Sequence, residues 1–404
     1  MRFDVFHSLG RLDDVEPKVS DREVFADYFD QLRAAEELGF GTMWVAESHF
    51  STEVQKNNPF GVVPHFKGEI GLNTDSLQLA QVTLARTKRI DFGTAILNIV
   101  GANGGPVGAA DRVRALAFLN AVSEAPRGLH IGIAAGRFPY VNRPYGIAPR
   151  CETEKRLWPQ YQRLIFLEAL EIFLRLSHSE TLGSDAVTKR TIGRELFDSD
   201  DLHAQARETA GVSANEEIPY RPRWSFDPLR LVPELPAADW RSFMRFVLGS
   251  SEPTAMDVAF EYDDIDIFNL SFTPPAKIAA VHSDMQARCS RKGRIWNRSR
   301  MPRTVLIAID PDPAVAERRI DAALDTYLRG TSGTIQVPVK ESLRARAVVG
   351  DASSVRAQLE KGSAHDFHPD DRLMLWFEFN QPDGREVVRQ MRYFAERVMP
   401  HFVD

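Results

Sequence analysis

Eight short apolar runs, each followed by a stretch of 3.6-residue periodicity, predict an α/β fold in which parallel strands alternate with helices. The runs are apolar without alternation, as strands covered on both faces are. Eight such units in succession fit a closed (β/α)8 TIM barrel with long insertions better than an open doubly wound sheet. The length of 404 residues alone admits one domain or two. Because the repeat runs through the whole chain, 1–404 is read as one domain, with an insertion at about 178–240.

The elements follow in order. Phe3 to Phe6 reads as the first strand. Ser20 and Glu23 form a capping box that opens a helix with Phe25, Tyr28, Phe29, Leu32 and Ala35 on its apolar face, and Gly39 ends it. Thr42 to Ala46 is the second strand. Further strands are expected at Ile90 to Leu97, Leu129 to Ala134, Phe243 to Leu248, Ile265 to Phe272, Thr304 to Ile309 and Leu373 to Phe379. The last helix, Gly384 to Val398, carries Val387, Val388, Met391, Phe394, Ala395 and Val398 along one face.

Two stretches break the repeat. Residues 178–240 are polar and end in IPYRPRWSFDPLRLVPELP, whose five prolines exclude a regular helix there. Trp224, Phe226, Leu229, Leu231 and Val232 need a surface to pack on, so the segment is expected to fold onto the barrel. It leaves after a helix, hence on the face opposite the strand ends unless it wraps around the wall. It is expected to serve packing or subunit contact. The second stretch, about 330–371, reads as irregular.

Composition excludes several classes. The 56 acidic and 50 basic residues are mixed along the chain and leave a net charge of -6, so no basic face awaits a nucleic acid. No apolar run reaches the roughly 20 residues that span a bilayer, and the protein is expected to be cytoplasmic with no membrane partner. Cys151 and Cys289 stand far apart, giving neither a disulfide framework nor a zinc site. His65, His365 and His368 fall in expected loops and form no ligand pattern, so no metal is expected.

In a barrel of this kind chemistry sits at the carboxyl ends of the strands. The residues there are His7, then Glu47, Ser48 and His49, then Asn98, then Gly136 and Arg137, then Ser250, Ser251 and Thr254. In SSEPTAMDVAF, Ser251 reads as a helix N-cap with Pro253 in the first turn. Free amides and two hydroxyls would converge there on an anion such as a phosphate, although simple capping explains the same residues. Neither G-x-G-x-x-G after the first strand nor G-x-x-x-x-G-K occurs, so the phosphate in question would belong to FMN or a sugar phosphate. Glu47 and His49 form a proton relay or a histidine satisfied by its loop.

Several segments together carry a resemblance. AEELGFGTMWVAESHF followed by TLARTKRIDFGTAIL, then GLHIGIAAGRFPYVNRPYGI, SSEPTAMDVAFEYDDIDIFNLSF, VVGDASSVRAQLEKG and FAERVMPHF, in this order, resemble the bacterial luciferase-like flavin-dependent monooxygenases. The resemblance covers nearly all the chain outside about 178–240. It implies a barrel that takes reduced FMN from a separate reductase, adds O2 at flavin C4a to make a peroxide, and oxygenates a small organic, apolar substrate. The protein's part is positioning and water exclusion. It implies catalytic roles for His49 and Glu47, with His49 acting on the oxygen side and Glu47 orienting its ring. It implies a cofactor site at Ala95, Asn98, Gly136, Arg137, Ser250, Ser251 and Thr254, with a non-prolyl cis peptide at Ala95 and Ile96 beneath the flavin, and a homodimer.

The departures narrow this. The family's Glu-His-His-Phe is Glu47-Ser48-His49-Phe50 here, which removes a histidine that the light-emitting enzymes use. Ala135 stands where a phosphate-binding arginine is usual, with Arg137 two residues on, and Gly105 replaces a histidine before Pro106. Two other readings stay open: a deazaflavin-dependent hydride-transfer oxidoreductase of the same barrel family, and a non-catalytic flavin-binding subunit.

Overall fold

The computed structural model describes residues 1–13, 16, 18–51, 68–136, 139–213, 215–235, 240–269, 273–331, 340–360, 363 and 365–402. Eight parallel strands make the barrel: β1 (Arg2–His7), β2 (Thr42–Val45), β3 (Asp91–Asn98), β4 (Leu129–Ala134), β5 (Met244–Leu248), β6 (Asp266–Ile267), β7 (Arg303–Ile309) and β8 (Arg372–Trp376). They pair in chain order, and β8 returns to β1 with Arg2 opposite Arg372 and Val5 opposite Leu375. Among the described residues, a bridge at Asn269 and Arg303 joins β6 to β7. The Asn269 amide donates to Pro302 at 3.0 Å and its carbonyl accepts from Thr304 at 3.1 Å. Of the expected strand Ile265 to Phe272, Asp266–Ile267 and the bridge at Asn269 are seen among the described residues, and 270–272 lie outside them.

Each strand feeds a helix: α1 (Asp21–Leu38), α2 (Ser76–Arg86), α3 (Gly105–Ala121), α4 (Trp158–Ser177), α5 (Pro253–Tyr262), α6 (Pro275–Arg291), α7 (Pro313–Thr331) and α8 (Gly384–Arg397). Local chemistry sets their ends. The Ser20 hydroxyl accepts from the Glu23 amide while the Glu23 carboxylate accepts from the Ser20 amide at 2.7 Å, and Gly39 ends α1 at φ 84°. On α8, Val387, Met391 and Phe394 are fully buried against the barrel wall, as the periodicity requires.

The barrel interior is packed with side chains. Phe6, Trp44, Val247, Phe268 and Met374 fill it, joined by Ala95, Ile96 and Trp376. Two glycines make this possible. A Cβ on Gly93 would lie 2.3 Å from the Trp44 ring, and one on Gly132 would lie 2.2 Å from the Thr94 carbonyl oxygen. Below this layer, at the strand starts, Arg372 donates to Asp4 and Thr42 (2.6 Å each) and faces His130, and the Trp44 indole donates to Asp4 at 2.7 Å.

The two stretches that break the repeat have more structure than their sequences suggest. Within 178–240 lies a helix, Asp200–Ala210, capped by the Ser199 hydroxyl and stopped by Gly211 at φ 70°. The proline-rich part is extended, with Ile218–Pro219 paired to Thr191–Ile192. Leu231 is buried and Trp224, Phe226 and Leu229 pack half-buried on the core, whereas Val232 is 67% exposed. Between 330 and 371 are the helix Lys340–Arg344, a strand Val348–Gly350 that pairs with β7, and a helix Ala352–Leu359 capped by Asp351. These pieces are too short for periodicity to reveal them. The last buries only Val355 and Leu359.

Candidate functional site

At the mouth of the barrel β2 runs into Glu47 and His49, and the two side chains meet. The His49 Nε2 lies 2.9 Å from Glu47 Oε1, with both side chains buried. Glu47 is a hub. Its Oε1 also accepts from Asn103 Nδ2 at 2.8 Å and the Asn98 amide at 3.4 Å, and its Oε2 accepts from the Ser76 amide at 3.2 Å, the first residue of α2. Three N–H donors and the His49 ring hold this buried carboxylate in place at the opening of a helix. Asn103, in the left-handed region at φ 62°, passes the network to Arg112, which also pairs with Asp75, the cap of α2. Neither Asn103 nor Arg112 has a motif of its own in the sequence. Only the fold brings them to Glu47.

The floor of the mouth is β3 and β4. The peptide bond between Ala95 and Ile96 is cis, and both side chains belong to the barrel interior. Gly249, which follows β5, lies against them. A Cβ there would meet Ile96 Cδ1 at 2.5 Å and Ala134 Cβ at 3.2 Å. Ser250, Ser251 and the start of α5 therefore stand beside the Ala95–Ile96 peptide.

At that helix start the cap is Glu252, not Ser251. Pro253 occupies the first helical position, where its missing N–H costs nothing, and this fixes the residue before it as the cap. The Glu252 carboxylate accepts from the Ala255 amide at 2.8 Å and from Arg163 of α4 at 3.1 Å, and it is also hydrogen-bonded by Thr254. Partial burial raises its pKa, but the Ala255 and Thr254 hydrogen bonds and the Arg163 charge outweigh that and hold the carboxyl below its ordinary value. The Ser250 hydroxyl accepts from the Glu252 amide at 3.2 Å, and Ser251 is half-buried. A backbone amide, a hydroxyl and a guanidinium thus converge on one anion. A donor set of this kind can also suit a phosphate oxygen.

Other strand-end residues are placed differently. The Asn98 side chain turns into its own loop, accepting from the Val100 amide at 2.9 Å and donating to Asn142 at 2.8 Å. Gly136, at φ 80°, packs on it so closely that a Cβ would lie 2.4 Å from Asn98 Nδ2. Both residues build the loop after β4. Arg137 lies outside the described residues, as does His65. His7 faces α1, edge-on to Tyr28, and its Nδ1 accepts from the Leu9 amide at 3.0 Å. Burial lowers its pKa against the opposing charge of Glu378. His365 is stacked on Phe367, and His368 accepts the Asp370 amide in a turn. Among the described residues no group of three or more His, Cys, Asp or Glu side chains forms a metal site. Among them, too, no helix is long and apolar enough to cross a membrane.

The insertion climbs the wall. Tyr161, near the start of α4, donates to the Pro219 carbonyl, and Tyr220 donates to Glu168 at 2.5 Å. Arg223 pairs with the buried Glu154 at 2.7 Å and donates to the Ala148 carbonyl, both in the segment that follows β4. Trp224 then reaches the mouth, where a Cβ on Gly105 would lie 2.9 Å from its Nε1. The segment does wrap around, and one of its residues stands at the strand-end face. Gly105, where a histidine is usual, leaves the space for that indole.

The chain shares its fold with solved enzymes over its whole length. The monooxygenase RslO1 from Streptomyces bottropensis superposes with a TM-score of 0.69 at 17% identity, covering 100% of both chains. The oxygenating constituent of 3,6-diketocamphane monooxygenase from Pseudomonas putida, solved in complex with FMN, gives 0.61 at 12% identity, covering 100% of this chain and 99% of that one. An F420-dependent secondary alcohol dehydrogenase, solved with an F420-acetone adduct, gives 0.56 at 14% identity with 100% and 99% coverage. No curated protein matches in sequence. A family model does match, over residues 1–372, and with the ordered barrel and its cis peptide already described, the chain belongs to the luciferase-like monooxygenases.

Proposed function

We propose that this protein is a flavin-dependent monooxygenase that uses reduced FMN and O2 to oxygenate an organic, apolar substrate, with a separate reductase supplying the reduced flavin. The observation that carries this reading is the buried Glu47–His49 pair at the mouth of a barrel of this family. FMN, rather than another flavin, is favoured by the donors that meet at Glu252 and by the FMN complex of a structural neighbour. When bound, the reduced flavin supplies two electrons and the atom to which oxygen adds. The chain's own residues do the rest. Ala95, Ile96 and Gly249 give the ring an apolar surface, and Ser251, Thr254 and the α5 amides hold the phosphate. With Nε2 committed to Glu47, His49 holds or delivers a proton through Nδ1. We further propose that the protein works as a homodimer.

The test is to mix the protein with photoreduced FMN under anaerobic conditions, admit air, and follow flavin absorbance and peroxide release. The protein should slow flavin reoxidation and withhold hydrogen peroxide relative to free FMN. His49→Ala should bind FMN nearly as well yet lose this control, by about 10²- to 10⁴-fold in the affected rate. Unchanged reoxidation in the presence of the natural protein would overturn the reading. Oxidation of an alcohol with a deazaflavin, without oxygen, would replace it with hydride transfer, the chemistry suggested by the F420-dependent neighbour.

A further inference from the structure

Three donors at the expected phosphate end already have an anion, and that anion belongs to the chain. Glu252 takes the Ala255 amide at 2.8 Å and the Arg163 guanidinium at 3.1 Å, together with Thr254, and its own amide takes up the Ser250 hydroxyl. Arg163 comes from α4 and Thr254 from α5, so two elements that pack along the barrel wall direct positive charge at one carboxylate. The carboxyl is held below its ordinary pKa and stays ionised through neutral pH. A phosphate carries nearly two negative charges at that pH. It cannot share these donors with a carboxylate a few ångström away, because like charges at that distance repel strongly even near a protein surface. The carboxylate has somewhere to go, since Glu252 is only half-buried and lies beside solvent.

We propose that Glu252 is a specificity-determining residue at the phosphate end of the cofactor site: its carboxylate holds the phosphate's place in the free protein and must turn out before FMN can bind. On FMN binding, Arg163, Thr254 and the Ala255 amide pass from carboxylate to phosphate. This rests on the flavin reading above and deepens it. FMN then gains less over riboflavin than the donor set alone would give it, because every FMN that binds displaces an ion pair. Removing the carboxylate should restore the difference.

Glu252→Gln keeps the shape of the cap without its charge, and Glu252→Ser supplies a better capping oxygen, so at least one of the two retains the helix start. Fluorescence titration of FMN and riboflavin against the natural protein and both variants reads the effect. Either folded variant should bind FMN about tenfold more tightly while riboflavin changes by less than about threefold. Arg163→Met should weaken FMN and leave riboflavin alone. An unchanged ratio of FMN to riboflavin affinity in both glutamate variants, or weaker FMN binding in them, would overturn the proposal. Inorganic phosphate alone gives a flavin-free arm: it should raise the melting temperature of Glu252→Ser and not that of the natural protein. Phosphate that stabilises both proteins equally refutes the role of Glu252. Phosphate that selects the variant while no flavin binds either protein upholds the anion exchange and refutes the flavin reading.

Discussion

The two ends of the barrel use their charged side chains in opposite ways. At the strand starts, Arg372 bonds to Asp4, Thr42 and His130, and Asp4 also accepts from the Trp44 indole, while Asp266 is held by Arg300 at 2.8 Å. These groups are buried within the wall. At the strand ends, Glu47 gathers donors from three segments of chain but leaves His49 Nδ1 outside the pair, and Glu252 holds donors that suit a larger anion. The floor is an ion cluster that completes itself. The mouth is one that a ligand can complete, and the difference follows from the backbone, because loops that vary in length leave from the strand ends and the helix starts point there.

The sharpest break of this comparison is at the floor. Arg372→Met leaves Asp4 buried without its cation, which should cost about 3–5 kcal/mol. Thermal melting checks it: the protein should fail to fold or melt far below the natural chain, and a shift of only a degree or two would mean that the floor does not stabilise the barrel.

Acid should act on the same end. Burial, and then the charge of Arg372, lower the His130 pKa from 6.5 to about 4 against the pull of Asp91 and Asp4. As pH falls below 6.5 the unfolded chain takes up this proton first, so the stability present above that pH drains away towards pH 4. Between pH 6.5 and pH 5 the loss is about 2 kcal/mol. Asp266, pushed up to about 6 by burial against Arg300, gains its proton first in the folded state and offsets part of this. Urea unfolding at both pH values should show a steeper acid loss in the natural protein than in His130→Gln. Parallel curves would remove His130 from the account.

At the mouth the effect on stability is smaller and the effect on function larger. Glu47→Gln turns an amide NH2 towards donors that need an acceptor and should cost about 1–2 kcal/mol, while peroxide control falls with His49→Ala. Full control in a folded Glu47→Gln would show that His49 needs no anionic partner. The smallest change is expected at the insertion. Trp224→Ala removes a half-buried ring beside Gly105 and should lower stability by about 1 kcal/mol, with FMN affinity unchanged within a few fold. A loss of flavin binding in the folded variant would move the insertion from the wall to the site.

The sequence by itself pointed to the barrel, because most strands are apolar runs flanked by turn residues and several helices carry their own caps and periodic face. Ser20, Glu23 and Gly39 mark α1 without help from the rest of the chain. Position at a strand end likewise marked Glu47 and His49. Tertiary structure alone decided what those residues touch. Asn103 and Arg112 lie more than fifty residues from Glu47, and Arg163 lies 89 residues from Glu252, so no local pattern links them. One cap was misplaced, and one route was left open by the sequence. Ser251 has the chemistry of a cap and Glu252 does not, yet Pro253 at the first helical position moves the cap by one residue, and Arg163 then makes a carboxylate there favourable. The insertion leaves the barrel on the far side, and bonds between distant segments, those of Arg223 and Tyr220 to Glu154 and Glu168 among them, bring Trp224 back to the mouth. Local propensity writes the elements into the chain, but a site is made where elements distant in sequence converge, and charge and close packing between them have no periodicity to read.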